Sequence, residues 1–231
     1  MAKTPPQRRK KQQQTRETNW LVIGGLIVVS LVVFGGLLFL ALRPTASQTV
    51  QTLAEFCESN PQNCAAIGNE DAPVTMVEVS DFGCSHCTAF HNNTADDLKA
   101  EFVDSGTLRW VALPYALSAT TVPAAGAALC AGEQDNYFGF ANALFAIESL
   151  DVRLTAAGFE QAAESIGLDM DAFRSCMDDG RNLDLVNTNR DMARTNRVSG
   201  TPTFFLNDVT LTGEQPQAAF AQTINSLVAA Q

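Results

Sequence analysis

Basic side chains are scarce in most of this sequence. Residues 44–231 hold eight Lys and Arg against 24 Asp and Glu, a net charge of −16 within a chain whose total is −10. A surface so acidic repels phosphate backbones, so nucleic acid is not an expected partner. Histidine is nearly absent: the two that occur, His86 and His91, stand beside one pair of cysteines, and no second cluster of metal ligands is evident elsewhere. Internal repeats and long low-complexity tracts are also lacking. What is present is a 46% hydrophobic composition in 231 residues, which excludes disorder throughout and supplies the core of one good-sized domain or two small ones.

Charge is wholly missing from Trp20 to Leu42, 23 residues that as a helix would extend about 34 Å, enough to cross a bilayer. The apolar region of a cleaved signal peptide usually runs about 7 to 15 residues and is followed by a small-x-small site, which is not evident here, so an uncleaved anchor over 20–42 is expected. Lys3, Arg8, Arg9, Lys10, Lys11 and Arg16 precede it, opposed only by Glu17. The positive-inside rule then places residues 1–19 in the cytoplasm and everything beyond Arg43 outside, periplasmic or cell-wall side. The paired glycines Gly24-Gly25 and Gly35-Gly36 form no GxxxG pattern and read as ordinary membrane-helix glycines.

All six cysteines (Cys57, Cys64, Cys84, Cys87, Cys130 and Cys176) fall on the exported side of that anchor, where disulfides form and persist. Six allow 15 connectivities, and counting alone selects none. Residues 43–69 are polar and weakly patterned, which predicts a tether, with Asn60-Pro61 marking a turn between Cys57 and Cys64. A flexible chain of about 27 residues reaches near 30 Å, keeping the following domain close to a membrane-embedded partner.

Beyond the tether, a β-branched run from Val74 to Phe82, interrupted by Glu78, predicts a buried strand. A helix is expected from Cys84 to about Ser105, then a second strand from Thr107 to Leu113, with a right-handed crossover and parallel pairing. Composition turns helical from Leu117 to Gly180, and another helix is expected from about Leu183 to Arg197. Val198–Leu206 reads as a strand, Asn207-Asp208 as a hairpin turn, Val209–Leu211 as a return strand and 216–229 as a closing helix. Tyr137, Phe138, Phe140 and Phe145 are expected in the core of the helical block.

Cys84-Ser85-His86-Cys87 stands where strand hands over to helix. Two cysteines three apart on a first helical turn can close a disulfide, and the unpaired N–H groups there favour a thiolate. Cys84, nearest the exposed end, is the expected nucleophile and Cys87, one turn deeper, the resolving cysteine. His86 donating toward sulfur would help hold the Cys84 thiolate, the dipole and this neighbour together contributing about 2 to 3 kcal/mol. Stabilising the reduced form makes a disulfide more oxidising, by about 30 mV for each 1.4 kcal/mol. Glu78, six residues before the nucleophile, is a candidate proton carrier for Cys87, with an edge-facing or ion-paired glutamate as the alternative. A purely structural disulfide, or a metal site formed by Cys84 and Cys87 with His86 or His91, remains open on these residues alone.

Taken with Ala128-Leu-Cys-Ala131, Phe173-Arg-Ser-Cys-Met177 and Gly200-Thr-Pro-Thr-Phe-Phe205, the strand entering Cys84-Ser-His-Cys87 resembles the DsbA-like thioredoxin-fold family, particularly its membrane-anchored bacterial members, over about residues 68–231. The resemblance implies an α/β thioredoxin fold over 70–231 with a helical subdomain inserted at about 115–182, preceded by the transmembrane helix. It implies a cis Pro202 facing the redox pair, Thr201 lining the substrate groove, and a structural disulfide between Cys130 and Cys176. Cys57 and Cys64 are then left to each other. It further implies exported protein substrates, no cofactor besides the redox-active disulfide, and a quinone-linked membrane reoxidant, DsbB-like or vitamin K epoxide reductase-like. Ser85 stands where the best-known oxidases carry proline, which keeps a reductase or isomerase as the alternative direction. A non-enzymatic metal carrier or holdase on the same scaffold is the alternative of a different class.

Overall fold

A computed structural model describes residues 19–20, 23–26, 30–34 and 51–231. Within the first 49 residues, which form a unit of their own, the described positions 20, 23–26 and 30–34 are helical. Among the described residues no helix is long and apolar enough to cross a membrane; most of the expected anchor at 20–42, and all of the tail at 1–18, lies outside them.

The second unit, Val50–Gln231, is built on a five-stranded sheet. Its strands are β1 (Ala65–Ile67), β2 (Val74–Ser80), β3 (Leu108–Pro114), β4 (Thr203–Leu206) and β5 (Val209–Thr212), in the order β1-β3-β2-β4-β5. β2 and β3 are parallel, with Val74 opposite Leu108 and Ser80 opposite Pro114. The other pairings are antiparallel, and β4 sets Thr203 against Val79 at the end of β2. Between β2 and β3 runs a helix, α2, of four consecutive segments: Ser85–Phe90, His91–Ala95, Asp96–Leu98 and Lys99–Val103. The second and fourth are wider, π-type turns, a feature frequent near functional sites.

Successive residues of a strand point to opposite faces, and β2 separates two cores in this way. Val74 and Met76 pack with Phe90, Leu98 and Phe102 of α2, and with Phe220 and Ile224 of the final helix, α9 (Gln217–Ala229). Val77 and Val79 pack on the other face with Leu53 and Phe56 of α1 (Leu53–Ser59) and Ala193 of α8 (Arg181–Thr195). The insertion supplies α3 (Val122–Gly132), α4 (Tyr137–Phe145), α5 (Leu150–Arg153), α6 (Ala156–Ser165) and α7 (Met170–Asp179). Tyr137, Phe140, Phe145, Phe159 and Phe173 form its core, which also receives Phe82 and Cys87. Phe138 is partly buried against the same cluster.

The expected tether at 43–69 is not a tether from residue 51 onward. Thr52 caps α1 through a reciprocal pair of bonds with Glu55, and Leu53, Phe56 and Cys57 are buried. A one-turn 3-10 helix (Pro61–Asn63) follows, then β1, which adds a strand to β3 through Ala65, Ala66 and Ile67. Three mostly alanine residues are too short to show strand alternation, and one buried stripe in a polar stretch is a faint helical signal. Cys57 and Cys64 are joined across this turn, and Cys130 on α3 is joined to Cys176 on α7. The strand expected from Val198 begins only at Thr203, after a cis Thr201-Pro202 bond.

Candidate redox site

The turn between β2 and α2 is tied down by Asp81, a residue the sequence reading passed over. Its buried carboxylate accepts from Gly83 N (2.6 Å), Leu117 N (2.5 Å) and Thr121 Oγ1 (2.7 Å). Its backbone carbonyl accepts from Cys84 N (3.0 Å), and its N–H donates to Cys87 Sγ (3.5 Å). Gly83 is required in the same turn, because a Cβ there would meet Thr121 Cγ2 at 2.6 Å.

Cys84 occupies the N-cap of α2 and is partly exposed, whereas Cys87, one turn in, is fully buried; both are free thiols. Cys84 Sγ donates to the carbonyl of Thr201 (3.3 Å), immediately before Pro202. The Cys84 pKa falls from the usual 9.0 to about 5. The Cys87 thiol hydrogen-bonded to its sulfur is the main cause; burial opposes the shift, and the Thr201 side chain and the N–H groups of Cys87 and His86 reinforce it. Cys87 moves the other way, pushed up by burial and then by Cys84, with the Ser80 side chain and the Asp81 backbone acting in the opposite sense. One sulfur is thus a ready thiolate and its neighbour a protonated reserve. The Thr201 hydroxyl is buried and otherwise unpartnered.

The imidazole of His86 lies at the surface. It is 69% exposed, with Nδ1 3.6 Å from Glu214 Oε2. Its contribution to the thiolate comes through its backbone N–H. Ser85 lies at the rim, bordering a cavity of about 210 Å³ lined also by Gly83, Thr88, Glu148, Leu150 and Arg153.

Glu78 is buried, as a functional or paired acid would be, but its oxygens are taken: Oε1 lies 2.9 Å from His91 Nε2, and Oε2 accepts from Trp110 Nε1 at 3.0 Å. Both oxygens of Glu78 are thus held by neighbouring side chains. His91 in turn stacks on Phe145 (ring centroids 4.2 Å apart) and meets Asn142 at 3.4 Å, joining α2 to the insertion. With His91 so committed and His86 turned outward, no group of three His, Cys, Asp or Glu side chains among the described residues is arranged to hold a metal.

Arg153 is a second residue without a sequence signal. Its buried guanidinium donates to the carbonyls of Phe82, Phe145 and Ile147 and to Thr88 Oγ1 (2.6 Å), which itself donates to Cys84 O (3.1 Å). The insertion thereby braces the first turn of α2.

A family model described as Thioredoxin matches residues 60–226. The chain belongs to the thioredoxin family. Within the family its form is DsbA-like, a thioredoxin fold carrying an inserted helical subdomain. The crystal structure of alpha-DsbA1 from Wolbachia pipientis superposes with a TM-score of 0.64 at 25% identity, covering 73% of this chain and 92% of that one. A protein of Rickettsia bellii, provisionally named a protein-disulfide oxidoreductase, is 22% identical over 154 residues, 64% of this chain and 58% of its own length. A sodium/proton antiporter, NhaA 3 of Salinispora tropica, is 34% identical over 148 residues, 61% of this chain and 21% of its own length. The chain thus matches about a fifth and somewhat over half of these two relatives.

Proposed function

We propose that this protein is a protein thiol-disulfide oxidoreductase that donates the Cys84-Cys87 disulfide to exported proteins. One observation carries the reading: Cys84, partly exposed and held near a pKa of about 5, is paired with a buried Cys87 whose pKa is raised. At pH 7 Cys84 is about 99% thiolate, so the reduced form is stabilised and the disulfide is correspondingly oxidising.

A substrate thiolate attacks Cys84 Sγ, the accessible sulfur, and Cys87 leaves. The mixed disulfide forms beside Thr201, whose carbonyl and buried hydroxyl face the reacting sulfur, with Pro202 fixing the wall behind them. The second substrate thiolate then attacks its own partner sulfur, and Cys84 departs as a stable thiolate. The substrate is oxidised by two electrons and the enzyme is left reduced. A membrane-bound, quinone-linked reoxidant closes the cycle, and an anchor at 20–42 with residues 1–19 in the cytoplasm keeps the domain on the outer side beside it. The 23 uncharged residues and the basic cluster before them support that placement.

The deciding experiment is trapping. Cys87→Ala, expressed in cells, should accumulate mixed disulfides through Cys84 with exported proteins, and alkylation of the parent as isolated should find the pair mainly oxidised. A mainly reduced pair would reverse the direction to reductase or isomerase; no mixed disulfides at all would end the reading.

A further inference from the structure

The Glu78–His91 contact sets how β2 lies along α2. Val74 and Met76, early in β2, pack with Leu98 and Phe102, late in α2, so the two elements run in opposite directions. Two residues of strand advance about 6.6 Å and four residues of helix about 6 Å. Ser80 therefore stands to Cys87 as Glu78 stands to His91. Residues 78 and 80 share a face of the sheet, and that face carries the Ser80 hydroxyl to the buried sulfur. The hydroxyl is buried and has no hydrogen-bond partner in the reduced pair, an arrangement uncommon in folded proteins and in need of a reason. The Asp81 N–H reaches the same sulfur at 3.5 Å.

We propose that the Ser80 hydroxyl is a catalytic hydrogen-bond donor that, with the Asp81 N–H, holds the charge on Cys87 when this sulfur is the leaving group. The inference rests on the thiol-disulfide reading above and names the group that serves its buried half. When a thiolate attacks Cys84 Sγ, a new sulfur-sulfur bond forms there and the Cys84-Cys87 bond breaks. The bonding pair moves onto Cys87 Sγ, which becomes a thiolate inside a core of Phe82, Ala112 and alanines of α3. Two donors meet that charge, and Cys87 afterwards takes up a proton from solvent, equal in number to the one the substrate thiol released. The charge exists only during exchange. The oxidised pair carries none, and in the reduced pair Cys87 is protonated, so Ser80 acts on rates in both directions and leaves the equilibrium nearly in place.

The test is single-turnover reduction of the oxidised full-length protein by reduced glutathione, alongside equilibration of the pair with glutathione buffers. Ser80→Ala should slow the attack by about ten- to a hundredfold, the range for a lost hydrogen bond to a charged group, while shifting the equilibrium by less than about twofold. Ser80→Thr, which keeps a hydroxyl, should return to within about threefold of the parent. A Ser80→Ala protein that reacts as fast as an active parent would overturn the proposal alone. So would a loss that Ser80→Thr does not restore, or an equilibrium displaced as far as the rate, since either marks a merely structural role. A parent inert toward glutathione would overturn the oxidoreductase reading and this proposal with it.

Discussion

His91 Nε2 lies 2.9 Å from Glu78 Oε1 with both side chains almost wholly out of water. Breaking such a buried pair leaves the remaining partner uncompensated, which costs about 3 to 5 kcal/mol. Glu78→Ala also strands Trp110 Nε1. Denaturant unfolding of Glu78→Ala should therefore show a loss in that range. Because both Glu78 oxygens are engaged by His91 and Trp110, the pH midpoint for alkylation of Cys84 should barely move. A large shift of that midpoint would restore Glu78 to the proton path.

The depressed Cys84 pKa makes the stability of the reduced protein depend on pH with a definite sign. Between about 5 and the ordinary 9.0, the unfolded chain holds a proton on Cys84 that the folded chain has lost. Stability of the reduced form rises with pH through this window and is lost as pH falls through about 5. The oxidised form has no such group. Melting curves of the two forms should diverge as pH rises from about 5 to 9, the reduced form gaining, and Cys84→Ser, which cannot form the disulfide, should lose that gain with pH. In the same window reduction takes up one proton for two electrons, so the potential should fall by about 30 mV per pH unit rather than 59.

His86→Ala should matter less than its place between the cysteines suggests. An exposed pair such as His86 with Glu214 contributes about 0 to 1 kcal/mol, and the backbone N–H that reaches the thiolate survives the substitution. The alkylation midpoint of Cys84 should stay within about half a pH unit of the parent. Thr201→Val, which removes a hydroxyl acting on the sulfur, should raise it, and alkylation rates against pH separate the two.

The two disulfides should stabilise unequally. Cys130 and Cys176 are 46 residues apart and Cys57 and Cys64 only 7, and chain entropy gives about 4 kcal/mol for the first and about 2.5 for the second. Paired alanine substitutions, unfolded in denaturant, should rank in that order while both retain an alkylatable Cys84.

Long, strongly patterned elements were legible in the sequence. The Val74 run, the helix after Cys84 and the Asn207-Asp208 hairpin correspond to β2, α2 and the turn where Asn207 takes φ 47° between β4 and β5. The redox pair was legible because its spacing and its place at a strand-to-helix junction are both local. Asp81, Ser80 and Arg153 left no such trace. Asp81 matters through partners at 117 and 121, Arg153 through the carbonyl of Phe82 and those at the end of α4, and Ser80 through the face of β2 on which it falls. Those relations exist only after the chain has folded back on itself. The exposure of the His86 ring and its nearness to Glu214 were not legible either, since Glu214 is far away in sequence.

The contact of Cys84 Sγ with Thr201 O joins residues 117 positions apart, with the whole insertion threaded between them. A chain still emerging during its synthesis presents Cys84 and Cys87 long before Thr201 arrives. During that interval Cys84 has neither its buried neighbour nor the Thr201 hydroxyl, and it behaves as an ordinary thiol. The lowered pKa of Cys84 is thus acquired only when the last strands close.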